Sequence, residues 1–162
     1  MIKKTATFCI LYILSFQMKA QLDVYSDTQI FTPILSPFIA GQNIVSEIES
    51  STSAILLNVN ILPNNTNNTV YKPWKVSLKC DKINWHDNLN LQVKLTGNGT
   101  SLYGNKAYGS LNYIDITDYD FTLVTGTGWI NEIPFQLKLN GLSVMLPAQA
   151  YSLDLVFTLT DD

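Results

Sequence analysis

The chain has 162 residues, ten lysines and no arginine, thirteen acidic residues and one histidine, for a formal net charge of −3. A nucleic-acid binder displaces counterions with clustered Lys and Arg, and this composition has no such cluster, so nucleic acid is set aside as a partner. With His86 the sole histidine, a multi-histidine zinc site is excluded, and any histidine-dependent mechanism must pass through that residue.

In chain order, Lys3 and Lys4 precede the apolar run Phe8–Leu14, which leads to Met18-Lys19-Ala20. That is the order of a secretory signal peptide, with cleavage expected after Ala20. The run is too short for a membrane helix, which needs about 20 apolar residues to cross ~30 Å of hydrocarbon. Processing removes Cys9 and three lysines and leaves residues 21–162 with seven lysines against thirteen acids, a net −6. The expected location is therefore outside the cytoplasm: secreted, periplasmic or on a bacterial cell surface, with no membrane span in the mature chain. That length fits one domain with a core large enough to need no disulfide, and Cys80 is the one cysteine left.

Residues 21–41 carry Ile30, Phe31, Ile34 and Phe38 around Pro33 and Pro37. Proline is tolerated where no ladder donor is needed, so this segment reads as an edge strand or an extended arm. Beyond it, strict two-residue alternation marks four strands. Trp74, Val76, Leu78 and Cys80 form the inward row of the first, which makes Cys80 a buried small hydrophobe. Leu89, Leu91, Val93 and Leu95 form the second, and Ile133, Phe135, Leu137 and Leu139 the third, with Gln136, Lys138 and Asn140 on its polar side. Tyr151, Leu153, Leu155, Phe157 and Leu159 form the last. Weaker runs are Ile44–Ile48, Ile55–Leu62, Leu111–Ile116 and Tyr119–Val124. Turn formers separate them at 64–68, Gly97-Asn98-Gly99, Gly104-Asn105, Gly126-Thr127-Gly128 and Asn140-Gly141. Short strands with one wet face predict an all-β fold of antiparallel sheets packed as a β-sandwich, with a β-barrel as the alternative.

The stretch Leu146-Pro147-Ala148-Gln149-Ala150-Tyr151, running into the final alternating strand, resembles the last hairpin of bacterial secreted immunoglobulin-like domains of the fimbrial and spore-coat-U-like type. The resemblance covers about fifteen residues and implies an immunoglobulin-like sandwich. It transfers no functional residue, and the mature chain differs from those families in lacking paired cysteines.

Chemistry-bearing constellations are few. His86 lies in Asn84-Trp85-His86-Asp87-Asn88, a loop between two strands, and no G-x-S-x-G elbow accompanies it. Neither catalysis nor a cofactor is expected. Asp115, Asp118 and Asp120 could supply calcium with carboxylate oxygens, although their spacing departs from the D-x-[DN]-x-[DN]-G loop. Gly126-Thr127-Gly128 and Gly97-Asn98-Gly99 lack the third glycine and the helix of a phosphate loop. Trp85, Tyr103, Tyr108 and Trp129 fall in or beside predicted loops, where exposed rings can serve as stacking platforms for sugars. The first expectation is thus a structural or adhesive surface protein, a fimbria-like subunit whose sheet edges and arm join other protein subunits by strand addition. The alternative is a non-catalytic carbohydrate-binding module that takes a glycan on those four aromatics.

Overall fold

The structure, a computed structural model, describes residues 20–26, 47–61, 72–143, 146–147 and 149–161. Among them it is all-β, with ten strands: β1 (Gln21–Ser26), β2 (Glu47–Glu49), β3 (Ile55–Asn60), β4 (Pro73–Asn84), β5 (Asn90–Leu95), β6 (Tyr108–Gly109), β7 (Ile114–Asp115), β8 (Phe121–Thr127), β9 (Ile130–Asn140) and β10 (Ser152–Asp161). They form two antiparallel sheets packed face to face. The first runs β1-β3-β9-β5-β7, with β2 paired to the far half of β9, and the second runs β10-β4-β8-β6. This is a sandwich, not a barrel. β4 lies at the centre of the second sheet, between β10 and β8, and β9 at the centre of the first, between β3 and β5.

All four strictly alternating runs form strands with their apolar rows turned inward. Leu57, Val59, Val76, Leu78, Val93, Ile133 and Phe135 are fully covered, and Cys80 is 1 % exposed within the same core. The Tyr151 hydroxyl donates to the Pro147 carbonyl at 2.7 Å, just ahead of β10. That bond ties the residue entering β10 back to the chain four residues upstream.

Several weaker expectations need correction. The run Leu111–Ile116 contributes only the two residues of β7, because Leu111 is 71 % exposed and offers its side chain to solvent. Tyr119 is likewise exposed, and β8 begins at Phe121. Gly126 and Thr127 belong to β8 instead of a turn, which falls at Gly128 with a φ of 63°. Gly126 pairs with Trp74, and a methyl group there would overlap the indole, so this glycine is set by close approach. Gln136, on the polar side of β9, is nevertheless 7 % exposed, because its amide donates to the Ser50 carbonyl at 2.9 Å beneath the end of β2. Residues 27–46 lie outside the described residues, so of the predicted arm only β1 is placed, as an edge strand on β3.

β9 departs from regular alternation near its start. Leu57 pairs with Ile133 and Val59 with Ile130, so Asn131 and Glu132 together face Asn58 alone. This bulge sends Ile130 and Ile133 both into the core, each 0 % exposed. Glu132 takes a left-handed φ of 53°, and its N–H donates to Asn58 Oδ1 at 2.8 Å.

Candidate functional site

The two flanks of the sandwich differ. On one, the Leu95 N–H donates to the Ser110 carbonyl at 2.8 Å and the Cys80 N–H to the Thr117 carbonyl at 2.8 Å, so the β5–β7 side of the first sheet is tied to the second. On the other, β1 ends the first sheet and β10 the second, and among the described residues neither has a strand beyond it.

Side-chain coverage follows this asymmetry. Directly paired residues of an antiparallel ladder share a face, so Leu22, opposite Val59, and Val24, opposite Leu57, point inward. Leu57 and Val59 are fully covered, yet Val24 is 40 % exposed. Across from them Leu153, Leu155, Phe157 and Leu159 pack on the core but remain only half-buried, whereas the inward rows of β3, β4 and β5 are buried throughout. Among the described residues this flank thus presents an apolar cleft at the β1 and β10 edges, with its inward rows less covered than those of the central strands. Sequence alternation identifies these residues as inward but carries no signal about what covers them.

The three aspartates proposed for calcium do not form one site. Asp115 sits on β7, where its Oδ1 accepts from Asn90 Nδ2 and Gln92 Nε2, each at 2.7 Å. The Gln92 bond, then the Asn90 bond, holds its carboxyl below the ordinary range against a smaller opposing effect of burial. Asp118 and Asp120 lie exposed in the connection to β8. Among the described residues no three His, Cys, Asp or Glu side chains gather closely enough to hold a metal ion.

Nor do the four aromatics form one platform. Trp85 packs against the core at the far end of β4, with its indole N–H on the Leu89 carbonyl at 2.9 Å. The 12 residues of β4 separate it by roughly 35 Å from the end where Trp74 meets Gly126. The other three lie toward that opposite end. Trp129 is 36 % exposed at the β8–β9 turn, and Tyr108, 66 % exposed, pairs with Thr125 on β8. Tyr103, 63 % exposed, sits in the turn that follows Thr100, whose backbone pairs with Asn131.

Two further groups complete the polar inventory. On the outer face of the first sheet the Lys94 and Lys138 ammonium groups stand 4.3 and 5.2 Å from the centroid of the Tyr113 ring. Burial, then the approach of the Glu49 carboxylate to the covered Tyr113 hydroxyl, pushes its pKa up to about 12. His86, half-buried beside the edge of the Tyr151 ring, accepts the Asn88 N–H on Nδ1 at 3.1 Å. No nucleophile is hydrogen-bonded to it among the described residues.

Comparison with protein-family models, with curated proteins and with solved structures gives no match to this chain, so the geometry above carries the functional argument alone.

Proposed function

We propose that the protein is an exported structural or adhesive subunit, fimbria-like in its mode of assembly, that joins other copies of itself by strand addition along the open β1–β10 flank. The observation that carries this reading is the half-covered inward row of β10 beside an edge that has no strand on it among the described residues. An extended segment with apolar residues at every second position would fill the cleft and satisfy the free ladder groups in one step. Unprotected edges of this kind are otherwise blunted by charge, proline or bulges. On β10 the bulge lies at the Ser152–Leu153 end and the inward row meets a charge only at its last residue, Asp161 opposite Trp74, so Leu153 to Leu159 present an uncharged apolar row.

Light scattering of the mature chain across a concentration series tests the assembly. Dimers or longer species are expected at high micromolar concentration. Leu155→Lys, which points a charge into the cleft, should keep the chain monomeric. A wild-type chain that stays monomeric there contradicts the reading. Export is tested separately by mass spectrometry: an amino-terminal Gln21 or its pyroglutamate is expected in the exported fraction, and an intact Met1 in the cytoplasm would contradict it.

A further inference from the structure

The β8–β9 corner is independent of the open flank and combines an oriented ring with a strained backbone. Trp129 donates its indole N–H to Asn131 Oδ1 at 2.6 Å, which lays the ring along the outer face of β9. With its only donor used internally, the indole offers solvent its apolar face and edge. Trp74 is buried at 1 % exposure and Trp85 half-buried, so Trp129 is the one tryptophan that presents a ring outward.

The bulge sets the residues that follow that ring. Alternation continued back from Ile133 would turn Asn131 inward; the extra residue opposite Asn58 keeps both Asn131 and Glu132 outside. Glu132 is exposed and held at a φ of 53°, where a glycine would sit without strain. Asn58 positions it by accepting its backbone N–H, and Thr100 braces the other side through reciprocal backbone bonds with Asn131 at 2.7 and 2.8 Å. Strained non-glycine residues that are over-determined by their surroundings cluster where a side chain must be aimed.

We propose that this corner binds a neutral pyranose glycan, with the apolar face of one sugar ring stacked on Trp129 and its hydroxyls donating to the Glu132 carboxylate. An acidic sugar is disfavoured by Glu132 and by the net negative charge of the chain. Choline serves as the control for a cationic ligand, since quaternary ammonium groups are held by cages of several aromatic walls.

Isothermal titration calorimetry of the mature protein with cellohexaose, mannohexaose and xylohexaose tests the site, with hexagalacturonate and choline as controls. Saturable binding of at least one neutral hexaose is expected, weakened at least about tenfold by Trp129→Ala. Glu132→Gly separates recognition from folding: affinity should fall roughly fivefold while the melting temperature rises by about 3 °C, because the strain is relieved. Tyr119→Ala, an exposed ring in the connection that enters β8, should leave affinity unchanged. No saturable heat with any neutral hexaose up to roughly 10 mM would overturn the proposal. So would binding unaffected by both corner variants, or binding of choline alone.

Discussion

Trp74 places its indole across β8 and donates to the Gly128 carbonyl at 2.8 Å, and the room for the ring exists because residue 126 has no side chain. Gly126→Ala forces the ring or the strand to move, and overpacking of a covered site costs about 1–3 kcal/mol, readable in a urea titration. Cys80 shares this core: burial pushes its thiol pKa up, partly offset by Lys82, and its Sγ lies 3.9 Å from the Ile116 carbonyl oxygen. A thiol of that kind should react with a disulfide reagent only as fast as the chain opens, and rapid labelling of the folded protein would contradict it. Asp115 gives a pH signature. Its carboxylate is favoured in the folded state by two amide donors, so its folded pKa is lowered. The resulting stability is present above the ordinary carboxylate pKa and is lost as pH falls through the folded value. Asp115→Asn should flatten that acid limb of the stability profile. The group is solvent-exposed, so the effect is modest.

At the scale of elements, β9 and β10 have equally regular alternation in sequence but unequal coverage in the fold. Phe135 is fully buried on β9, whereas Phe157 is half-buried on β10. Phe135→Ala should cost about 3–5 kcal/mol. Phe157→Ala should cost the monomer roughly half as much, and Thr158→Ala, on the wet face, less still. The strands themselves were legible in the sequence because side-chain direction alternates with period two. Coverage was not, since it depends on which strands a sheet lacks at its edges. Glu132 escaped for a related reason: a bulge inserts one residue into a ladder without any composition of its own, and here the glycine that often marks one is absent. Gly126 was misread because a G-x-G triplet looks the same in a turn as at a close approach to an indole. The three aspartates are close in sequence, yet Asp115 is fixed in β7 opposite Gln92 while Asp118 and Asp120 lie in the connection to β8.

For the whole molecule, the sandwich is closed by hydrogen bonds on its β5–β7 flank, while on the other flank β1 and β10 have no strand beyond them among the described residues. The proposed glycan corner lies at the β8–β9 turn. An assembled chain could therefore extend along its flank while keeping that corner accessible. The central claim, that the β10 edge accepts a strand from another copy, is tested most directly by amide hydrogen exchange of residues 152–161 in the mature protein at low and at high micromolar concentration. Alternate amides of an edge strand face away from its partner, and in the dilute monomer those of β10 should exchange fast while their neighbours bonded to β4 are protected. Raising the concentration should slow the fast set selectively. Uniform protection of β10 in the dilute monomer, or exchange that does not change with concentration, would contradict the account.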